Sequence, residues 1–330
     1  MATTHDGEKL VVLGTGGTIA GIAGSAADNL GYTAGQVGVA DLLRALPGLP
    51  QVMGPVRLHS EQVAQLDSKD MSFGVWRELA LRVRQHLGQA DVRGVVITHG
   101  TDTLEETAYF LHATLPPELI ANKPVVLTCA MRPASAQNPD GPQNLTDAIS
   151  VALIPGACGV VVVCAATVHA ALEVQKAQTY RLDAFNSGDA GPMGYVEEGR
   201  LRVFKPWPTA PEPGGVDTLD QVVARALWPR VEIVMSYAGC TGAVVDALLK
   251  PQEGVPPLAG IVVAATGNGT IHHDLEAALR RAVQAGVRVV RATRCAFGQV
   301  LGAEHAEFGH FAGLSPVKTR IALMLELMRA

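Results

Sequence analysis

The sequence predicts an α/β protein with a larger N-terminal domain, built on a mostly parallel sheet, and a smaller C-terminal α/β domain that also has a parallel sheet. Two observations support the α/β class: short β-branched apolar runs alternate with segments of helical periodicity, and glycine-containing turns separate them. The densest Pro/Gly stretch, KPWPTAPEPGG at 205–215, supports the division into domains. We therefore expect domains at 1–207 and 229–330, joined by a linker at 208–228.

Seven short runs are predicted to form strands, and several of them are apolar throughout, as expected of strands that are covered on both faces. Helices pack on both sides of a parallel sheet, so its strands are hydrophobic throughout rather than at alternate positions. The predicted strands are 9–13, 94–98, 124–129, 159–164, 231–236, 260–265 and 287–291. The first four belong to the larger domain and the last three to the smaller one.

Apolar residues at helical spacing predict helices between these strands. Two sets show the spacing most clearly: Val75, Trp76, Leu79, Val83 and Leu87, and then Leu275, Ala278, Leu279, Ala282 and Val283. A closing helix is predicted to begin at Ser315-Pro316, because serine caps helix N-termini and proline is favoured in the first turn.

Composition and charge exclude several classes of partner. The net charge is −5 and no run of Lys or Arg is long enough to follow a phosphate backbone, so we expect no nucleic acid partner. No segment approaches the roughly 20 apolar residues of a membrane span. The first residues, MATTHDGEKL, lack the basic and apolar regions of a signal peptide. We expect a cytoplasmic protein that binds no membrane.

The cysteine and histidine patterns predict neither disulfides nor a metal site. The five cysteines include no C-x-x-C pair, and Cys129, Cys164 and Cys240 lie in or beside apolar runs, so we expect these three to be buried, reduced thiols. The ten histidines show no H-E-x-x-H or similar ligand spacing. His272 and His273 stand at a predicted helix start and are expected on the surface.

The first motif that carries chemistry is VVLGTGGTIAG at 11–21, a strand that runs into a glycine-rich turn. A dinucleotide-binding loop is the obvious alternative, but its third glycine is replaced here by Ile19 and no amphipathic helix follows. Two interpretations stay open for the turn alone: a tight turn without chemistry, or a turn that presents the hydroxyl of Thr18.

The second motif is THGTDTLEE at 98–106, which follows an apolar strand and opens a helix. Ligands of open parallel sheets bind beyond the carboxyl ends of the strands, and Thr101 and Asp102 lie there. The alternative is that these side chains only cap the helix.

Lys176 is a third candidate. It is either a solvated lysine or, if desolvated beside a hydroxyl, a base for that hydroxyl.

Together these segments resemble the bacterial-type L-asparaginase family. The two signature blocks are present as TGGTIAG at 15–21 and VITHGTDTLEETAYFL at 96–111. The likeness extends over nearly the whole chain, through YTAGQVGVADLL (32–43), KPVVLTCAMRPASAQNPDGPQNL (123–145), GPMGY (191–195), GNG (267–269) and SPVKTRIALML (315–325).

The resemblance implies a cofactor-free amidohydrolase that splits ammonia from L-asparagine through a threonine-linked β-aspartyl ester. By this resemblance Thr18 is the nucleophile, and Tyr32 lies on a loop that closes over it. Thr101, Asp102 and Lys176 form the second catalytic group: neutral Lys176 accepts a proton through Thr101. The family likeness also implies a homotetramer of close dimers.

Further residues are implied to bind the substrate. Ser68 matches the position that contacts the α-carboxylate, Asp102 the one that binds the α-ammonium, and Asn268 the residue that a neighbouring subunit contributes to the site. Backbone N–H groups near Thr101 and Ala130 are implied to hold the oxyanion.

The sequence departs from the family pattern at two places. Lys69 replaces an amide or acidic residue. Its ammonium either contacts the substrate carboxylate, or turns out to solvent or pairs with Asp67 or Asp70. An acidic residue supplied by the neighbouring subunit aligns poorly, near Gly302 to Glu304. Both departures affect the binding of the α-amino and α-carboxyl groups of the substrate more than the chemical steps. Two alternatives therefore remain: a glutaminase-asparaginase that also accepts L-glutamine, and a non-catalytic amino-acid sensor.

Overall fold

The computed structural model describes residues 7–208, 218–302 and 307–329. The chain divides into two compact units between Leu219 and Asp220. This division falls inside the predicted linker, of which residues 209–217 lie outside the described part of the chain.

An eight-stranded sheet forms the centre of the larger unit. Two separate strand pairs, β2–β3 and β9–β10, also belong to this unit. In chain order all its described strands are β1 (Lys9–Gly16), β2 (Ile22–Ala23), β3 (Tyr32–Thr33), β4 (Arg57–Leu66), β5 (Val92–Thr98), β6 (Val125–Thr128), β7 (Val160–Cys164), β8 (Thr167–Ala170), β9 (Gln175–Lys176), β10 (Phe185–Asn186), β11 (Gly194–Glu197) and β12 (Arg200–Val203). The order in the main sheet is β12-β11-β8-β7-β6-β5-β1-β4. Strands β4, β1, β5, β6 and β7 are parallel, whereas β8, β11 and β12 extend the sheet antiparallel. The prediction of a mostly parallel sheet is confirmed.

Helices cover both faces of this sheet, as its apolar strands require. They are α1 (Val39–Arg44), α2 (Leu49–Met53), α3 (Phe73–Leu87), α4 (Leu104–Thr114), α5 (Pro117–Ile120) and α6 (Gly141–Ala152). Helix α3 is the predicted helix that contains Val75 and Leu87, and the Ser72 hydroxyl caps it by accepting the Val75 N–H at 3.3 Å. Helix α6 packs on β5, β6 and β7.

The smaller unit contains a parallel four-stranded sheet in the order β13-β14-β15-β16. Its strands are β13 (Arg230–Met235), β14 (Leu258–Ala265), β15 (Arg288–Thr293) and β16 (Gly309–His310). The remaining helices are α7 (Thr218–Ala224), which spans the division between the units, α8 (Ala243–Leu248), α9 (His273–Gln284) and α10 (Pro316–Arg329). Helices α9 and α10 confirm the two helices predicted in this domain, and the Ser315 hydroxyl accepts the Lys318 N–H at 3.5 Å.

The predicted state of the cysteines is confirmed: Cys129, Cys164 and Cys240 are buried and all five thiols are free. The Sγ atoms of Cys129 and Cys164 are 3.7 Å apart, and their hydrogen bond and burial raise the pKa of the Cys129 thiol. None of the helices formed by the described residues combines the length and the apolar character that a membrane span requires.

Candidate active site

Two loops meet at the carboxyl edge of the larger sheet, beyond the adjacent strands β1 and β5. Gly17 follows β1 with φ 83°, and a Cβ on this residue would overlap the backbone of Gly100, which follows β5. Gly100 in turn is so close to Ser68 that its own Cβ would lie 2.5 Å from the Ser68 Oγ. Glycine at these positions therefore allows the Thr18 and Thr101 loops to pack backbone against backbone.

The first hydroxyl of the site is that of Thr18, which is only 7% exposed. Its Oγ1 lies 2.7 Å from the phenolic oxygen of Tyr32, and either atom is able to donate this hydrogen bond. Tyr32 belongs to the short β2–β3 hairpin, where Ala23 pairs with Tyr32. The Tyr32 ring packs against Gly21, so the loop after Thr18 folds back over the hydroxyl. The structure thus brings Thr18 and Tyr32 together.

The second hydroxyl is that of Thr101, which is 6% exposed. The Lys176 ammonium donates to the Thr101 Oγ1 at 2.8 Å and to the Asp102 Oδ1 at 2.6 Å. The Lys176 side chain is 18% exposed, whereas that of Asp102 is 52% exposed. Thr101, Asp102 and Lys176 therefore form one contiguous group whose carboxylate is open to solvent.

Ser68 joins the end of β4 to the loop that carries Thr101. Its buried hydroxyl accepts the Asp102 backbone N–H at 3.2 Å, and its carbonyl accepts the Thr103 hydroxyl at 2.8 Å. The adjacent Lys69 points elsewhere: its Nζ lies 2.6 Å from the Asp67 carboxylate and 3.6 Å from that of Asp70. The hydrogen bond with Asp67 raises the pKa of Lys69.

A buried hydrogen-bond chain lies beneath the Thr101 loop, and the sequence analysis gave it no role. Trp76 Nε1 donates to the Thr107 hydroxyl at 2.8 Å, and this hydroxyl lies 2.9 Å from His99 Nε2. His99 Nδ1 lies 2.7 Å from the Gly100 carbonyl. Burial lowers the pKa of His99 to about 4. The neutral ring therefore donates from Nδ1 to the carbonyl and accepts from Thr107 at Nε2. The signal for this role was the position of His99 inside the THGTDT block.

Ala130 follows β6, the next strand of the sheet, and is fully buried. The Asp140 carboxylate accepts the backbone N–H groups of the next two residues, Met131 and Arg132, each at 2.9 Å. The N–H groups of Ala130 and Thr101 make no hydrogen bond with the described part of the chain. Two backbone donors are thus available at this edge. Asp140, which holds the loop after Ala130, is not among the residues predicted from the sequence.

Asn268 lies in the smaller unit, in the turn after β14. Its Nδ2 donates to the Leu301 carbonyl at 3.2 Å and its Oδ1 accepts the Leu301 N–H at 2.8 Å. Both ends of the side-chain amide are therefore used within the same unit. The acidic residue that a neighbouring subunit supplies in relatives aligns near Gly302 to Glu304. Gly302 is described, whereas Ala303 and Glu304 lie outside the described residues.

Two groups of described side chains have the composition of metal ligands: His59, Glu61 and His86, and the consecutive residues His272, His273 and Asp274. Neither group includes a residue of the threonine site. Thr18, Tyr32, Thr101 and Lys176 offer hydroxyl and amine groups, which suit nucleophilic and acid–base chemistry on a substrate carbonyl.

Comparison with known proteins assigns the chain to a family. Residues 9–209 match the family model described as Asparaginase, N-terminal, and residues 230–330 match the Glutaminase/Asparaginase C-terminal domain. L-asparaginase 2 of Escherichia coli (strain K12) is 36% identical over 97% of this chain and 88% of its own length.

Other relatives carry different names. The glutaminase-asparaginase of Pseudomonas fluorescens biotype A is 34% identical over 97% of this chain and 86% of its own length. A Haemophilus influenzae protein named "Probable L-asparaginase periplasmic" is 34% identical over 99% and 90%, respectively. The crystal structure named "Probable Cytoplasmic L-asparaginase from Campylobacter jejuni" has a TM-score of 0.86 and 34% identity, and the match covers 98% of this chain and 96% of that one. The chain belongs to the asparaginase family, and the predicted resemblance is confirmed.

Proposed function

We propose that this protein is an L-asparaginase, which hydrolyses L-asparagine to L-aspartate and ammonia. The observation that carries the proposal is the pairing of two buried threonine hydroxyls at one sheet edge, each with its own activating partner. Thr18 contacts the Tyr32 phenol at 2.7 Å, and Thr101 contacts the Lys176 amine at 2.8 Å. A nucleophile and a base group are what a two-step acyl transfer requires.

In the first step, the Thr18 Oγ1 attacks the side-chain amide carbon of asparagine. The hydroxyl proton leaves toward Tyr32 or the Thr101 group, the carbon–nitrogen bond breaks, and the amide nitrogen takes up a proton and departs as ammonia. A β-aspartyl ester on Thr18 remains. In the second step, water attacks the ester carbon, aspartate leaves, and the proton returns to Thr18.

Lys176 and Thr101 supply the base for these proton transfers. Lys176 donates to Thr101 and is paired with Asp102 at 2.6 Å. The exposed Asp102 carboxylate also suits the α-ammonium of the substrate. The family resemblance assigns Lys176, in its neutral form, to accept the proton of the Thr101 hydroxyl.

Oxyanion stabilisation is assigned to backbone groups, because a negative charge develops on the amide oxygen during the attack. The Thr101 and Ala130 N–H groups follow adjacent strands and make no hydrogen bond with described residues. Loss of one such donor typically costs about 2.7–4 kcal/mol of transition-state stabilisation. The Ser68 hydroxyl is assigned to the α-carboxylate of the substrate.

We also propose that the chain works as a homotetramer of close dimers, with Asn268 reaching the site of a neighbouring subunit. The Asn268 amide keeps one N–H donor and one oxygen lone pair beyond its two hydrogen bonds with Leu301. Activity is then expected to fall when dilution or an interface substitution dissociates the dimer. A fully active monomer, shown by sedimentation at the assay concentration, would refute this part of the proposal.

A broader glutaminase-asparaginase is the second candidate, because relatives such as the Pseudomonas fluorescens protein carry that name. L-Glutamine differs from L-asparagine by one methylene, and a methylene in a binding pocket is worth only about 1–3 kcal/mol. The ratio of kcat/KM values for the two amides decides between the candidates.

We also propose that the protein is cytoplasmic, and subcellular fractionation tests this location.

Release of ammonia from L-asparagine is the primary test, and it also excludes a non-catalytic sensor. A sensor binds the amino acid but releases no ammonia, and it needs neither the Thr18 nucleophile nor the Lys176 base. Binding measured by calorimetry without any ammonia release would overturn the proposed activity.

A further inference from the structure

A second group of polar side chains lies on the larger unit, on strand β4 and helix α3, and no step of the proposed reaction uses it. His59 and Glu61 stand two residues apart on β4 and therefore point to the same face of the strand. Helix α3 packs on β4 and brings His86, in its last turn, to these residues. The nitrogen and oxygen atoms that the three side chains offer all lie within 4.8 Å of one another. We propose that His59, Glu61 and His86 bind a divalent transition-metal ion, with Zn²⁺ as the best match.

The distances suit a small ion after a modest rearrangement. His86 Nε2 is 2.9 Å from the Glu61 Oε2, and the rings of His59 and His86 have centroids 5.5 Å apart at an angle of 52°. Tetrahedral Zn²⁺ with bonds of about 2.0–2.1 Å holds its donor atoms about 3.3 Å apart. The Glu61–His86 pair is close to that separation, and the exposed His59 is free to rotate inward.

The donor set favours zinc over magnesium or calcium. Two imidazoles and one carboxylate are ligands of zinc and its transition-metal neighbours, whereas hard cations prefer oxygen ligands throughout. Two imidazoles and a carboxylate also leave the fourth tetrahedral position for water. Arg82 does not occupy the same carboxylate oxygen: its Nε lies 3.3 Å from the Glu61 Oε1 and 2.7 Å from the Glu78 Oε1. Arg82 therefore orients the carboxylate from the outer side.

Two features limit the affinity. The buried Nδ1 of His86 has no hydrogen-bond partner among the described residues, whereas a ligating histidine normally donates its second N–H to a carboxylate or carbonyl. The Arg82 guanidinium also places a positive charge near the ion. We therefore expect a reversible site, weaker than a four-ligand structural zinc site.

The second candidate group, His272, His273 and Asp274, does not support an equivalent proposal. These residues are consecutive at the N-terminus of α9, and the His272 Nδ1 already accepts the Asp274 N–H at 3.3 Å as the helix cap. His273 is 82% exposed. This group serves instead as an internal control.

Metal binding at His59, Glu61 and His86 has a structural consequence. The ion would link strand β4 to the end of helix α3. Ser68 lies in the segment of chain between this strand and this helix. A ligand that binds only the folded state stabilises it in proportion to the logarithm of its concentration over its Kd. We expect Zn²⁺ to raise the melting temperature of the protein without contributing to the chemical step.

The test uses tag-free, full-length protein from which metals have been removed with a chelator. Calorimetric titration with Zn²⁺ and the visible absorption of bound Co²⁺ report stoichiometry and geometry. We expect one ion per chain and a tetrahedral Co²⁺ spectrum. His59→Ala and Glu61→Gln should each weaken binding by at least about tenfold, since loss of an outer-shell partner alone typically costs 10–100-fold. Both variants should also lose the Zn²⁺-dependent rise in melting temperature, whereas His273→Ala should bind as the wild type does.

Three outcomes would overturn the proposal: no binding by the wild-type protein, unchanged binding in both His59→Ala and Glu61→Gln, or loss of binding in His273→Ala alone. Because His59 is exposed, its replacement by alanine is not expected to affect folding. Binding is read out without any substrate, so failure of the proposed asparaginase activity and failure of the metal site are distinguishable.

Discussion

The eight-stranded and the four-stranded sheet both end in turns that carry glycine and threonine, but among the described residues the threonine hydroxyls at the two edges have different partners. Beyond β1 and β5 in the larger unit, Thr18 and Thr101 are bonded to a phenol and an amine. Beyond β14 in the smaller unit, the hydroxyl oxygens of Thr266 and Thr270 lie 2.8 Å apart, and each lies within hydrogen-bond distance of the backbone carbonyl of the other residue.

Glycines and threonines at the edge of a parallel sheet therefore do not by themselves bring a hydroxyl together with a phenol or an amine. In the smaller unit the polar side chains of this edge bond to backbone groups: the Thr293 Oγ1 donates to the Gly267 carbonyl at 2.7 Å, and Asn268 bonds twice to the backbone of Leu301. In the larger unit the Thr18 hydroxyl contacts the Tyr32 phenol and the Thr101 hydroxyl contacts the Lys176 amine. Chemistry thus depends on which groups the fold brings to the edge from elsewhere in the chain.

The largest expected effect comes from removing the hydroxyl of Thr18. Thr18→Ala should lower kcat by at least about 10³-fold, because loss of a catalytic nucleophile costs that much or more in comparable enzymes. The matched change in the smaller unit, Thr266→Ala, should destabilise the protein by about 1 kcal/mol and alter kcat little. Steady-state ammonia release and mass mapping of a trapped ester on Thr18 check both expectations. More than a few per cent of wild-type rate in Thr18→Ala would contradict the assignment.

The next effect concerns the Lys176–Thr101 pair. Lys176→Met and Thr101→Val should each lower kcat by about 10²–10⁴-fold, the usual contribution of general acid–base groups. If the two residues act as one unit, the double variant should lose hardly more than the worse single variant. Strictly additive losses in log kcat would mean that Lys176 and Thr101 act independently. Circular dichroism of each variant controls for misfolding.

The fold was predictable where burial dominates the sequence. The central residues of strands β1, β5, β6 and β7 are apolar and fully buried because both faces are covered. Strand β4 was not predicted: it pairs with β1 alone in the described sheet, and its sequence RLHSEQVAQL is too polar to indicate a covered strand. Strands β8, β11 and β12 are four residues each, too short for a periodicity signal.

The site was predictable only in part. Glycine-rich turns after apolar strands pointed to Thr18 and Thr101, but Thr101 and Lys176 are 75 positions apart in the sequence, and no local pattern indicates their contact. Family resemblance supplied that pairing, and the structure brings the two side chains together. The neutral state of His99 could not be predicted from the sequence, because it depends on the complete burial of this side chain beneath the Thr101 loop.

A smaller effect is expected from His99 as pH falls. Its pKa is about 4 when folded, against a usual value of 6.5, so between these pH values the unfolded chain binds the extra proton and folding is penalised. The contribution of His99 is complete above about pH 6.5 and is lost as pH falls toward 4. Between pH 7.5 and pH 5 the loss should be about 2 kcal/mol, within a full range of about 3 kcal/mol.

Urea unfolding at fixed protein concentration measures this effect. His99→Gln should flatten the pH dependence by about that amount, whereas His273→Gln, a change at an exposed histidine of the smaller unit, should leave it unchanged. Equal slopes in the wild type and His99→Gln would show that His99 is not the group responsible.

The smallest effect is expected at Lys69, where the sequence leaves the family pattern. A partly desolvated bond between Lys69 and the substrate α-carboxylate would change KM about ten- to hundredfold. The structure instead pairs the Lys69 side chain, which is 62% exposed, with Asp67 and Asp70, and solvent-exposed ion pairs contribute little. Lys69→Gln should therefore raise KM for asparagine less than about threefold, while Ser68→Ala, the positive control at the adjacent buried hydroxyl, should raise it more. A tenfold rise in Lys69→Gln at low salt, with kcat unchanged, would mean that Lys69 leaves Asp67 when substrate binds. The ammonium would then supply the point charge that holds the α-carboxylate.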